Sequence, residues 1–112
     1  MRAAARCALV VRAALLTCGA LIPAAGNAAQ PQHTVTIDGV QYSPPELTVR
    51  RGERIVWVNK DPFPHTVTAT GGQFDSGSIA AGASWTFRAA KRGEYAYGCR
   101  FHPTMKGTIH VQ

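Results

Sequence analysis

From His33 to the C-terminus, short segments place apolar residues at every second position, and no stretch keeps the three-to-four spacing of a helix. In "HTVTIDG", Val35 and Ile37 alternate with polar neighbours. "ASWTFRA" alternates Trp85 and Phe87, "GEYAYGC" alternates Tyr95 and Tyr97, and "KGTIHVQ" alternates Ile109 and Val111. "ERIVWVN" is rich in β-branched and aromatic side chains, which suit a pleated, half-buried surface. Breakers divide these runs: "SPPEL" opens "ELTVRRG", "KDPFP" precedes "HTVTAT", and "GGQFDSGSIAAG" is loop-like with room for one short strand. A period of two through seven or eight short segments predicts an all-β fold, an antiparallel sandwich or barrel.

The first 30 residues stand apart. Arg2 and Arg6 precede an apolar run that reaches Ile22, interrupted once by Arg12; Pro23 ends it and small residues follow. This is the pattern of a signal peptide, residues 1–28, with Gly26 and Ala28 at the positions that direct cleavage. The uninterrupted apolar stretch from Ala13 to Ile22 is half of the ~20 residues a membrane span needs. Lipidation at Cys18 is the weaker alternative, because Thr17 is a poor neighbour for it and the apolar run continues beyond. Residues 29–112 are left as one small domain with a marginal core. It keeps nine basic residues against six acidic ones. No basic run exceeds Arg50-Arg51 and none interleaves with aromatics, which excludes a nucleic-acid binder. The expected location is the periplasm, without stable membrane insertion, and the expected state is a monomer.

Cys7 and Cys18 belong to the leader, so Cys99 is the one thiol of the domain and no disulfide within it is possible. A lone thiol in an exported chain is reactive, intermolecular or metal-bound. Cys99 sits in "YGCRFHPTMKG", with His102 and Met105 following at intervals of three, between the last two predicted strands. His65 opens the strand after "KDPFP". Taken singly, a cysteine or methionine is more often core, and His102 beside Pro103 is an ordinary loop residue. Three such residues in one seven-residue loop favour a site. A thiolate, two imidazoles and a thioether form the trigonal His₂Cys set with a weak axial Met that suits copper in electron transfer. Structural zinc prefers more cysteines and rejects a thioether. His33 and His110 match no ligand spacing and read as strand or surface residues.

"YGCRFHPTMKG" resembles the copper loop of the cupredoxins, the type 1 blue copper proteins, and its spacing is similar to the amicyanin and plastocyanin types. "IVWVNKDPFPHTV" resembles the family strand that carries Trp57 and Asn59 into a first ligand, His65, preceded by a proline. The resemblance covers most of residues 33–112. It implies a Greek-key cupredoxin β-sandwich of about eight strands and one copper held by His65, Cys99, His102 and Met105. Two positions depart from the family pattern. Thr66 stands where many members have an asparagine that ties the two ligand loops together, and its hydroxyl reaches less far. Phe101 stands where amicyanin-type loops have proline, and it restores an N–H that is able to meet the Cys99 sulfur.

The resemblance implies an electron carrier and not an enzyme, exchanging single electrons with redox proteins that dock near His102. Pro62, Phe63, Pro64, Phe101 and Pro103 would ring that histidine with apolar surface, and Arg100 and Lys106 would steer an acidic partner. The alternatives are a copper-binding or copper-delivery protein without an electron-transfer role, and a metal-free interaction domain on the same sandwich.

Overall fold

The computed structural model describes residues 13–21 and 31–112. Most of the leader's signals, Arg2, Arg6, Arg12, Pro23, Gly26 and Ala28 among them, lie outside the described residues. Residues 13–21 have no helix or strand and expose their apolar side chains, so both sheets and the whole core come from residue 31 onward.

The strands are β1 Gln32–Ile37, β2 Tyr42–Ser43, β3 Glu46–Val49, β4 Arg54–Asn59, β5 Thr68–Ala69, β6 Ser84–Arg88, β7 Gly93–Cys99 and β8 His102–Val111. They form two four-stranded sheets, ordered β2-β1-β4-β6 and β3-β8-β7-β5. The expected eight-stranded sandwich is present. The sheets are mixed and not purely antiparallel, because β1 pairs with β4 and β3 with β8 in parallel. The cause is a crossover. After β2 the chain leaves the first sheet, edges the second as β3, and returns as β4 in the direction of β1. Strand β2 is too short for a period to register in sequence. The segment 71–82 makes isolated bridges, His65 to Ile79 and Thr68 to Asp75, in place of a strand of its own.

Alternation delivers the core. Val35 and Ile37 of β1, Ile55 and Trp57 of β4, Tyr95 and Tyr97 of β7, and Ile109 and Val111 of β8 all point inward. Trp57 is the hub: its ring meets Tyr97 edge-on at 5.6 Å and its Nε1–H donates to the Tyr97 hydroxyl at 3.2 Å. Tyr42 packs 4.6 Å from Tyr97 and donates its hydroxyl to the Thr66 carbonyl. Burial pushes both phenols up, Tyr97 to about 12, so both stay neutral.

The same phase extends to one end of the sandwich. Asn59 follows Ile55 and Trp57, Cys99 follows Tyr95 and Tyr97, and Met105 shares the face of Ile109; all three are buried. Registers place Asn59, Cys99 and His102 at this end, and Arg54, Arg88, Gly93 and Val111 at the other.

Gly107 lies directly across from Tyr97. A Cβ at Gly107 would come within 2.7 Å of Tyr97 Cε1, and closer still to the hydroxyl end of the ring. Gly107→Ala therefore forces Tyr97 away from Trp57. The expected cost is about 1–3 kcal/mol of overpacking, read as a lower urea midpoint at unchanged slope; an unchanged midpoint would show that the ring moves freely.

Candidate metal centre

Three donors converge at the end of the sandwich. The ligand atoms of His65, Cys99 and His102 all lie within 4.8 Å of one another. Cys99 Sγ is 3.7 Å from His65 Nδ1 and 3.7 Å from His102 Nδ1, and the two imidazole rings are 5.0 Å apart. His65 is fully buried and Cys99 nearly so, whereas His102 keeps an exposed edge.

Met105 is not one of the three converging donors, but it is buried and lines one cavity with Cys99. The β7/β8 ladder runs evenly from Gly93 opposite Val111 to Gly98 opposite Lys106, and its next rung would set Cys99 opposite Met105. A register shift after Gly98 pairs Cys99 with His102 instead. The slip brings His102 across from the sulfur, since cross-strand partners sit about 5 Å apart at Cβ, while Met105 falls within the bulge. Strand β8 thus begins at His102, so the link from Cys99 is only Arg100 and Phe101, much shorter than the loop expected from sequence.

His65 is oriented from behind. Its Nε2 lies 2.6 Å from the Asp61 carboxylate, which fixes Nε2–H as the donor and leaves the Nδ1 lone pair facing the sulfur. Asp61 is anchored in turn by the N–H groups of Gly39 at 2.7 Å and Val40 at 2.9 Å. Both residues have positive φ, 62° and 59°. For Val40 that is strained, and the strain aims two successive N–H groups at one carboxylate. Burial works to raise the Asp61 carboxyl, but Val40, Gly39 and His65 outweigh it and hold it below its ordinary value. Asn59 holds the connecting loop: Nδ2 donates to the carbonyls of Phe63 at 2.9 Å and Ile79 at 3.0 Å, and Oδ1 accepts from Asp61 N–H. The backbone of His65 is fixed by reciprocal hydrogen bonds with Ile79. Sequence reasoning missed Asp61, although a carboxylate four residues before a candidate histidine was a readable signal.

The two ligand loops are tied at Thr66. Its N–H donates to Cys99 Sγ at 3.3 Å. Its hydroxyl was expected to fall short, yet it accepts the Arg100 N–H at 2.9 Å. The hydroxyls of Thr66 and Thr68 then meet at 2.9 Å, Thr68 donates to Asp75 at 3.1 Å, and the Arg100 guanidinium closes the ring on Asp75. The ring replaces a long asparagine with two short hydroxyls and an ion pair. It also pairs Arg100, one of the two charges expected to steer a partner, with Asp75. Lys106 is exposed and in no ion pair among the described residues. Among the described residues the sulfur meets Thr66 N–H and the two imidazoles, and not the Phe101 N–H. His33 and His110 stand in strands beside Glu53 and Glu94, away from the centre, as read from sequence.

Around His102 the surface is apolar. Phe63 lies 5.9 Å from the His102 ring and 5.1 Å from that of His65. Phe63 and Phe101 are 40% and 53% exposed, and Pro62, Pro64 and Pro103 are exposed beside them.

The family model described as a cupredoxin-like domain matches residues 7–111. Amicyanin of Paracoccus denitrificans is 31% identical over 96 residues, covering 80% of this chain and 72% of the relative. Plastocyanin of Scenedesmus fuscus is 32% identical over 84 residues, covering 63% of this chain and 86% of the relative. A mutant amicyanin solved in its Cu(I) form superimposes with a TM-score of 0.70 at 26% identity, over 77% of this chain and 87% of that one.

Removing the Asp61 carboxylate leaves His65 Nε2 buried without a partner. Asp61→Ala is expected to weaken metal binding by 10–100-fold, the usual effect of losing such a support. Competition against a chromophoric chelator measures it. Undiminished affinity would mean that packing alone orients the ring.

Proposed function

This chain belongs to the cupredoxin-like family, and we propose that it is a small exported electron carrier whose single copper is held by His65, Cys99, His102 and Met105. The observation that carries the reading is the convergence of one buried thiol and two imidazole Nδ1 atoms within 4.8 Å, and Met105 is buried three residues beyond His102 in the same strand. The donor set fits copper, since sulfur and imidazole together suit both Cu(I) and Cu(II). Copper bound there supplies a one-electron couple.

The chain's own residues do the rest. Asp61 holds the His65 imidazole in the tautomer that presents Nδ1. Thr66 N–H stabilises negative charge on the Cys99 sulfur. Thr66, Thr68, Asp75 and Arg100 hold the two loops in one relative position, which limits rearrangement on electron transfer. Four protein donors leave no position for a substrate, which supports a carrier over an enzyme. A delivery role would want donors open to a partner, and Cys99 and Met105 are only 6% and 3% exposed.

Electrons enter and leave by the His102 edge, where the apolar ring of Phe63, Phe101 and the three prolines gives a small surface suited to brief docking of redox proteins. Lys106 supplies the free positive charge beside it. Residues 1–28 act as the signal peptide and direct residues 29–112 to the periplasm, where the domain works as a monomer. No helix among the described residues is long and apolar enough to cross a membrane.

Adding Cu(II) to residues 29–112 is expected to give an intense blue colour that a mild reductant bleaches. Cys99→Ser should abolish the colour while far-ultraviolet circular dichroism still reports the folded sandwich; a serine variant that stays blue would remove Cys99 from the site. Met105→Gln should keep the colour but lower the reduction potential, because an oxygen donor favours Cu(II). The shift is about 59 mV for each tenfold change in relative preference, measured by voltammetry. An unchanged potential would exclude Met105 as the axial ligand.

A further inference from the structure

Six of the nine basic residues that follow the leader, Arg50, Arg51, Arg54, Arg88, Lys91 and Arg92, gather at the end of the sandwich opposite the metal centre. Arg50 and Arg51 form the turn into β4, while Lys91 and Arg92 lie in the turn from β6 to β7. Hydrogen bonds from Arg51 N–H to Gln112 and from Gly52 N–H to Ala89 draw these turns together. All six side chains are exposed, and none joins an ion pair among the described residues. Two acids share this end, and a third, Glu46, lies partway along the sheet opposite Thr108. Glu53 is buried, its carboxylate taken by Arg50 N–H and His33; Glu94 is exposed beside His110. At the metal end Lys60, Arg100 and Lys106 are balanced by Asp38, Asp61 and Asp75. The domain is therefore polar in charge along its long axis.

Arg54 and Arg88 stand directly opposite one another across β4 and β6. Like charges so placed destabilise a sheet unless an anion lies between them. Beside them a notch of 230 Å³ opens between Arg88 and Lys91, lined by Phe87, Ala90 and Tyr95. Cations rimming an apolar notch match an anionic headgroup above its glycerol backbone and acyl chains.

The chain enters the domain at this same end. Gln32 begins β1 opposite Arg54, and Arg54 N–H donates to the Pro31 carbonyl at 3.3 Å. From Ile22, where the apolar leader run stops, nine residues reach Pro31. They span at most roughly 30 Å, so before the leader is cleaved during export the basic end lies next to the membrane.

We propose that this basic end docks the domain reversibly on an anionic lipid surface, with the His102 edge facing away. Residues 102–111 of β8 run between the two ends, roughly 30 Å apart, so docking leaves the redox face open. Contact is electrostatic and peripheral, the behaviour of a basic cluster without a buried anchor. The inference leans on the export reading for which membrane is met, and on nothing in the copper chemistry.

The test is sedimentation of residues 29–112 with vesicles of phosphatidylcholine alone or mixed with phosphatidylglycerol. Colour after copper loading is recorded separately, so failure of the metal reading and failure of docking are told apart. Binding is expected only to the anionic vesicles, at low salt with a screening length of about 30 Å, and to be largely lost where it is about 8 Å. Charge reversal at Arg50, Arg51, Arg88 and Arg92 to Glu should lower partitioning at least about tenfold while the blue colour persists. Reversal of Lys60 and Lys106 to Glu should leave it unchanged. Equal binding to neutral vesicles, or equal loss from the two sets of reversals, would overturn the proposal. So would retention on poly-glutamate without vesicle binding, which would assign the surface to an acidic protein.

Discussion

Asn59, Asp61, His65 and Thr66 are all buried at one end of an otherwise apolar sandwich, and each must find a partner there. An unpaired buried polar group costs on the order of 1–3 kcal/mol, so four of them would consume much of what a small domain has. Their partners are one another and the turns above them. Asn59 ties down Phe63, Ile79 and Asp61; Asp61 takes His65 and two backbone N–H groups; Thr66 reaches Cys99 and Arg100. The requirement for satisfaction thereby fixes the orientation of the His65 ring and of the Thr66 backbone facing the thiol. What reads as a metal centre is also the solution of a solvation problem.

Strand phase made much of this legible from sequence. Tyr95, Tyr97 and Cys99 share one alternating face, and so do Met105, Ile109 and Val111, so the inward direction of two donors follows from the pattern of their strands. The C-x-x-H-x-x-M spacing marked the three residues, and His65 stood out as a histidine after a proline-rich break. The parallel pairing of β1 with β4 was not legible, because alternation reports which face a residue takes and not which neighbour its strand chooses. Nor was β2, since two residues carry no period. The closed ring through Thr68 and Asp75 escaped as well, because it joins residues two to thirty-four positions apart through side chains that look like ordinary loop polarity.

The exchange of asparagine for Thr66 shows why a single departure from a family pattern is hard to weigh in isolation. Measured by side-chain reach, threonine is the weaker tie. In the structure the shortfall is met from the other side, because Arg100 brings its backbone N–H to the hydroxyl and its guanidinium to Asp75. Hydrogen bonds run in one sense from Arg100 N–H through the two hydroxyls to the carboxylate, and such chains strengthen their members. Asp75 is held below its ordinary value, first by the Gly77 N–H and further by Thr68 and Arg100, which outweigh the opposing effect of burial. The tie therefore belongs to four side chains, and its strength is not a property of residue 66 alone.

Register links the two ends of the molecule. Side chains alternate with a period of two, so a slip of one residue between β7 and β8 would turn Met105 and Ile109 outward together. Ile109 and Val111 are locked into the core near the charged end, and this holds Met105 inward near the metal end. The three-residue shift after Gly98 is tolerated only because the ladder below it is continuous from Gly93 to Gly98. Gly107 contributes by omission: without a side chain it admits the Tyr97 ring, which engages Trp57 and fixes how closely the sheets approach. Precision at the donors is thus set by apolar packing beneath them. The end that carries the redox chemistry can present apolar side chains and a histidine edge to a partner, while charge is concentrated at the end where the backbone has no such geometry to protect.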